Sequence, residues 1–122
     1  MKPLVWVGRS REALKSFPAD VQDVIGYALE LAQDGGKHQS AKPLRGFHGA
    51  GVLEVVEDFD GDTYRAVYTV RFTETVYVLH CFQKKSKHGQ ATPKKEMDMV
   101  RRCLAAVEQR ARAGQGTANR AE

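Results

Sequence analysis

Residues 75–88, TVYVLHCFQKKSKH, decide how this chain folds and where its chemistry is expected. The first part, 75–83, is apolar at odd and even positions alike, which is typical of an interior strand buried on both faces. A basic run follows where this strand leaves the sheet, and it contains Lys84, Lys85, Lys87 and His88. Such a strand end either keeps the protein soluble or, because a rigid element holds it and a loop exposes it, forms a functional site.

The residues before this strand predict a short strand and two helices. Leu4–Val7 is a β-type run, and Ser10 offers an N-cap for a first helix that Pro18 ends. A second helix follows, because apolar residues recur with helical spacing at Val21, Val24, Ile25, Ala28, Leu29 and Ala32. The sequence Asp-Gly-Gly at 34–36 stops it. These features predict an αα-hairpin that lies on a sheet.

The middle of the chain predicts a β-hairpin that feeds the strand at 75–83. Residues 37–51 form a polar, glycine-containing connection, and 52–59 is a strand. Asp60-Gly61-Asp62 is a hairpin turn. The strand at 63–72 alternates between a face with aromatic and apolar residues, which we expect to form a core, and a face with two arginines. We expect that second face to meet water or a ligand.

Thr92-Pro93 begins a last helix, whose apolar spacing continues to Gly114. Small and polar residues follow, so we predict a domain at 1–113 and a disordered tail at 114–122. The order of elements predicts an α+β domain: an N-terminal strand, an αα-hairpin, an antiparallel meander sheet and a C-terminal helix.

Composition excludes several classes of protein. The chain has 122 residues, enough to bury one core, and no apolar run approaches a membrane span. No signal peptide is visible, so we expect a cytoplasmic protein. Cys81 and Cys103 form no disulfide framework, and no Cys/His spacing suggests zinc, so we expect packing thiols and no metal or cofactor.

Charge is unevenly distributed along the chain. The net charge is +4, which permits a nucleic-acid partner without requiring one. Residues 82–95 contain five lysines and no acid, whereas 54–62 contain five acids and no base. We therefore expect a bipolar surface.

Several motifs resemble the RelE/ParE toxin superfamily of bacterial type II toxin–antitoxin systems, and within it the HigB-like, phage-derived-protein branch. The strongest are Tyr64-Arg65-Ala66-Val67-Tyr68, the run from Leu79 to Ser86, and Pro93-Lys94-Lys95-Glu96. The Phe17-Pro18 break and the sequence from Lys42 to Gly46 agree with them. The resemblance covers most of the chain, from about Leu4 to Leu104.

This resemblance implies a RelE-like fold and a cytoplasmic toxin that cleaves mRNA on the translating ribosome without metal. It also implies an antitoxin partner that carries a helix-turn-helix DNA-binding domain. Arg65 matches the arginine that lies at the active site in RelE-like members. Lys84 and Lys85 fall where those members place a basic residue at the end of the next strand.

Two departures from the RelE pattern keep other functions open. The strand before the Tyr-Arg strand reads Glu54-Val55-Val56-Glu57-Asp58, where RelE-type enzymes have lysines, and 87–99 contains no tyrosine. The alternatives are a ParE-like inhibitor of DNA gyrase, and a non-enzymatic prophage protein that binds RNA or a partner.

Metal-free RNA cleavage needs a proton acceptor for the 2′-hydroxyl, a proton donor for the 5′ oxygen, and cations at the phosphate. We predict that Arg65 binds the scissile phosphate, because a guanidinium fork binds two phosphate oxygens. Crowded lysines lower one another's pKa, so Lys84 or Lys87 can carry a proton, and His88 is a further carrier. Lys85 falls on the opposite strand face from Lys84. The alternative is that Lys85 and His88 are only solvated loop residues.

The remaining assignments concern binding. Phosphate contacts position RNA without selecting its sequence. We predict such contacts from Lys42, Arg45, Arg71, Lys94 and Lys95. His80, inside the predicted strand, is interpreted as a hydrogen-bonded core histidine, and Arg71 alternatively contributes only to the charge of the surface.

Overall fold

A five-stranded sheet with helices on both faces makes up the protein. The structure, a computed structural model, describes residues 1–47, 49, 51–84 and 92–117, with side chains as far as residue 113. The strands are β1 (Leu4–Trp6), β2 (Ala41–Pro43), β3 (Val52–Phe59), β4 (Asp62–Thr69) and β5 (Val76–Lys84). Their order across the sheet is β1-β5-β4-β3-β2. The helices are α1 (Ser10–Lys15), α2 (Ala19–Gln33) and α3 (Lys94–Thr117).

The predicted meander is confirmed, since β3, β4 and β5 are antiparallel neighbours. The turn between β3 and β4 contains only Asp60 and Gly61, whose φ angles are 51° and 88°. A two-residue hairpin of type I′ requires positive φ at both positions, and Asp-Gly satisfies that requirement. This turn fixes the register, so that Val56 lies opposite Arg65.

One face of the sheet is covered by α1 and α2, as the predicted αα-hairpin requires. The apolar stripe of α2 is buried and packs with β-strand residues such as Val55 and Tyr68. Pro18 is the N-cap of α2, and Gly35, with φ of 88°, follows its end. The amide of Gly36 donates to the carbonyl of Leu31, which closes the helix where the sequence predicts its stop.

The other face was predicted to meet water or a ligand. Exposure of this face to water is wrong, because a helix covers it. Val67 and Thr69 are fully buried, and Arg65 is only 3% exposed. The apolar stripe of α3, which includes Val100 and Leu104, packs over this face in a second core. The alternation along β4 correctly assigns its residues to the two faces of the sheet. It does not show that a helix covers the face that carries Arg65.

Smaller differences concern element ends. Arg9 rather than Ser10 is the N-cap of α1, and the Ser10 hydroxyl donates to the carbonyl of Val78. The short strand β2 lies within the predicted connection. The helix α3 runs to Thr117, so residues 114–117 of the predicted tail are helical, while 118–122 lie outside the described residues.

Tyr68 is the largest fully buried side chain in the core between the sheet and the helices α1 and α2. Its hydroxyl has no hydrogen-bond partner among the residues that the structure describes. Burial raises the pKa of Tyr68 to about 12. The neutral phenol is therefore the form that the folded state holds.

We expect Tyr68→Phe to leave the free energy of unfolding unchanged at neutral pH or raise it by about 1 kcal/mol, because it removes an unpaired buried hydroxyl. The unfolded tyrosine ionises near its ordinary pKa of about 10. The free energy of unfolding of the wild type therefore falls as pH rises from about 10 towards 12. The variant lacks the share of this fall that the ionisation of Tyr68 causes. Urea unfolding across this range measures both effects, with exposed Tyr27→Phe as the control. A loss of stability at neutral pH in Tyr68→Phe alone would contradict the assignment.

Candidate active site

The register of β4 and β5 places Arg65 and Lys84 on the same face of the sheet. Arg65 lies opposite Phe82, and Thr63 lies opposite Lys84. Residues directly opposite each other in an antiparallel pair point to the same side. Arg65 and Lys84 are therefore diagonal neighbours, and such Cα atoms lie about 7–8 Å apart. Both are on the face that α3 covers.

A bulge in β5 produces this arrangement. Val67 pairs with His80 but Tyr68 pairs with Val78, so the residue between them, Leu79, is extra. An extra residue shifts the alternation of the strand by one position. The bulge therefore brings His80, as well as Phe82 and Lys84, to the α3 side.

Arg65 is part of a buried ion pair that the sequence reasoning missed. Its Nη1 lies 3.4 Å from Oε1 of Glu54 and 3.5 Å from Oε2. The side chains of Arg65 and Glu54 are 3% and 11% exposed. Glu54 belongs to the acidic segment that was expected on the surface, but at this position it balances the charge of Arg65.

Thr92, just before α3, completes this cluster. Its hydroxyl donates to Oε2 of Glu54 at 2.9 Å and accepts from Nη1 of Arg65 at 3.2 Å. Three segments of the chain, β3, β4 and the approach to α3, thus meet in one hydrogen-bonded group. We call Glu54, Arg65 and Thr92 the central cluster. A phosphate that reaches Arg65 must share the guanidinium with Glu54 or exchange places with it.

A second polar contact joins β5 to the first turn of α3. Nε2 of His80 lies 2.6 Å from Oε1 of Glu96, and the ring of His80 stacks on Phe82 with centroids 5.3 Å apart. His80 is therefore hydrogen-bonded, as predicted, although it is only partly buried. This pair fixes the start of α3 beside the central cluster.

The predicted RNA-binding residues divide into two groups. Lys42, opposite Glu54 on β2, and Arg45 are exposed, as are Lys94 and Lys95 at the start of α3. Arg71 lies beyond the other end of β4 from Lys84 and pairs with Glu108 of α3. The structure therefore does not bring Arg71 together with the central cluster.

Three of the predicted catalytic residues, Lys85, Lys87 and His88, lie outside the described residues. Their roles stay predictions. Among the residues that are described, no group of three or more His, Cys, Asp or Glu side chains is placed to hold a metal ion.

Both cysteines are free thiols. Burial raises the pKa of Cys81 to about 12. Burial also raises the pKa of Cys103, against the opposing charge of Arg102. The described part of the chain contains no helix that is long and apolar enough to cross a bilayer.

Residues 12–105 match the family described as "Phage derived protein Gp49-like (DUF891)". This match covers most of the chain, including the central cluster and the first half of α3. The chain belongs to the Gp49-like family. A comparison with curated proteins gives no significant match.

Two toxin structures are similar to this Gp49-like protein. One is a double arginine-to-alanine mutant of E. coli toxin RelE in the free state, with a TM-score of 0.54 and 16% identity over 86% of this chain and 95% of that one. The other is the toxin–antitoxin complex RelBE2 from Mycobacterium tuberculosis, with a TM-score of 0.46 and 21% identity over 68% of this chain and 98% of that one. The first match shows that the Gp49-like protein has the RelE fold, which confirms the predicted fold.

Proposed function

We propose that this Gp49-like protein is the toxin of a type II toxin–antitoxin pair and acts as a metal-independent endoribonuclease on mRNA at the ribosome. Membership of a phage-derived family and the RelE fold support the toxin assignment. One observation carries the ribonuclease assignment. Arg65 and Lys84, on adjacent strands, point to the same face of the sheet at the same end of β4.

The proposed reaction uses the ribose 2′-hydroxyl as nucleophile. A base takes its proton, the 2′ oxygen bonds to the neighbouring phosphorus, and the bond from phosphorus to the 5′ oxygen breaks. The products are a 2′,3′-cyclic phosphate and a 5′-hydroxyl, the latter after the 5′ oxygen receives a proton. In this scheme Arg65 stabilises the extra negative charge at phosphorus. Lys84 is the general base or the general acid for one of the two proton transfers.

The central cluster adds a constraint to this scheme. Until substrate binds, Glu54 pairs with Arg65, whose side chain is almost fully buried from water. The phosphate then replaces Glu54 at one edge of the guanidinium, and Thr92 retains a hydrogen bond to the carboxylate. A preorganised guanidinium loses little entropy when it binds the phosphate.

The partners and location follow from the same proposal. We expect a helix-turn-helix antitoxin to bind this chain, and we expect both proteins in the cytoplasm. Exposed Lys42, Arg45, Lys94 and Lys95 then contact phosphates of the message or of ribosomal RNA.

Induction of the protein alone in a bacterial host tests this proposal. We expect growth arrest, relief of arrest when the adjacent small reading frame is co-expressed, and new 5′ ends in a message translated with purified protein. Lys84→Gln should cut more slowly than wild type. Absence of new ends during translation would contradict the ribonuclease assignment.

One observation favours the alternatives of a ParE-like gyrase inhibitor or a non-enzymatic partner protein. Glu54 already neutralises Arg65, and such a pair is also expected where an arginine is purely structural. A gyrase supercoiling assay separates these functions. Inhibition of supercoiling without message cleavage identifies the gyrase inhibitor, and no arrest on induction identifies the non-enzymatic protein.

A further inference from the structure

The outward side of α3 carries basic residues along most of its length. The exposed cations are Lys94, Lys95, Arg101, Arg102, Arg110 and Arg112. At 3.6 residues per turn, Lys94, Arg101 and Arg112 form one line along the axis. Around the helix from it, Lys95 and Arg102 lie at about 80–100° and Arg110 at about 160°. This line is about 27 Å long at 1.5 Å per residue. We call these six residues the basic face of α3.

Acidic residues of α3 do not balance this charge. Glu96 and Glu108 are only partly exposed and pair with His80 and Arg71. Asp98 lies among the cations, 3.1 Å from Lys94 and 3.4 Å from Arg101. Glu108 lies about 40° around the helix from the line of Lys94 and Arg112. The basic face of α3 therefore keeps a strong positive excess.

The opposite side of the sheet carries a small excess of negative charge. The helix α2 contains Asp20, Asp23 and Glu30, all exposed, and no lysine or arginine. The helix α1, on the same side, adds exposed Glu12 but also exposed Arg11 and Lys15. A surface that is merely soluble mixes the two signs, because like charges on one face repel each other. The difference in net charge between the two sides favours an anionic partner on the α3 side.

We infer that the basic face of α3 binds the backbone of folded, double-stranded RNA. Four of its six cations are arginines, whose forks match phosphate oxygens. Ala105 and Ala106, exposed between them, let the helix approach a backbone closely. This choice of RNA rests on the proposed function.

Two features disfavour other anionic partners. Protein interfaces use buried aromatic or large apolar anchors, but the exposed large hydrophobic residues in the described part of the chain are Met1 and Tyr27, neither of them on α3. Binding of single strands without sequence preference relies on aromatic side chains on which bases stack. The exposed side of α3 between residues 94 and 113 has none. Double-stranded RNA is recognised mostly by its shape and through its phosphates and 2′-hydroxyls, and the arginine forks of α3 can bind those phosphates.

The basic face also connects to the candidate active site. It begins at Lys94, next to the Thr92 that contacts Glu54 and Arg65. It ends at Arg110 and Arg112, beyond residue 105, where the match to the Gp49-like family stops. RNA bound along α3 thus lies beside the central cluster, and Arg110 and Arg112 lie outside the part of the chain that the family match covers.

Binding of the full chain to a stable RNA hairpin, measured across 50–200 mM salt, tests this inference. The test variant is Arg102→Gln/Arg110→Gln/Arg112→Gln, which leaves the Arg101–Asp98 pair intact. The control is Arg11→Gln/Lys15→Gln/Lys37→Gln, which removes the same charge from exposed positions outside α3. We expect the test variant to bind about 10-fold or more weakly than wild type, with a salt slope smaller by roughly 2–3, and the control to bind like wild type.

Equal weakening in the control, or wild-type binding by the test variant, would overturn this inference. So would single-stranded RNA or polyglutamate that binds as tightly as the hairpin with the same dependence on the three arginines. The assay needs no ribosome and no cleavage. An error in the ribonuclease assignment would therefore appear in the translation assay. An error in the proposed RNA-binding role of α3 would appear in the hairpin-binding assay.

Discussion

Arg65→Lys should lower the rate of message cleavage by about 10²–10³-fold. Removal of one donor that stabilises charge in a transition state has an effect of that size. Lysine retains the positive charge and an ion pair with Glu54, so the fold should survive. It loses the planar fork that holds two phosphate oxygens and Glu54 in fixed directions.

Single-turnover cleavage of a ribosome-bound message measures this effect, and thermal unfolding confirms that the variant is folded. The matched control is Arg71→Lys, since Arg71 lies beyond the far end of β4 and pairs with Glu108. We expect this control to cut like wild type. A similar rate loss in both variants would mean that the guanidinium of Arg65 has no special role in cleavage.

Removing one charged partner of the central cluster should lower the free energy of unfolding by about 3–5 kcal/mol, because the other charge is then buried without its partner. Glu54→Gln keeps the shape of the side chain but removes the negative charge beside Arg65, which is 3% exposed. The free energy of unfolding from urea titration measures the loss.

Replacing both partners should cost much less. Glu54→Leu/Arg65→Met fills the same space without a buried charge, and such exchanges are often neutral or stabilising. The control for surface ion pairs is Glu12→Gln, since the pair of Glu12 with Arg9 is exposed and should contribute little. Additive losses at 54 and 65 in a double-mutant cycle would contradict the ion pair.

The fold was predictable because its local signals agree. The Asp60-Gly61 turn, the helical stripe of α2 and the apolar residues of β5 each specify one arrangement. The face of β4 that carries Arg65 was misread because alternation reports which residues share a side, not what covers that side. Only the packing of α3 shows that Val67 and Thr69 are buried.

The central cluster was partly accessible to sequence reasoning. A two-residue hairpin at Asp60-Gly61 pairs Val56 with Arg65, which places Glu54 diagonally across from Arg65 on the same face. That register would have removed Glu54 from the acidic surface. Thr92 could not have been found, because its contact depends on how α3 returns to the sheet. The bulge at Leu79 also leaves no signal in the sequence.

The most direct test of the account compares cleavage by Arg65→Lys, Lys84→Gln and the double variant in one translation reaction, with new 5′ ends mapped and single-turnover rates measured. Groups that act together on one phosphodiester are not additive. We predict the same cut positions for wild type and the slow variants, and a double variant little slower than the slower single variant. Wild-type rates in either single variant, or losses that multiply in the double variant, would contradict the claim that Arg65 and Lys84 serve the same phosphate.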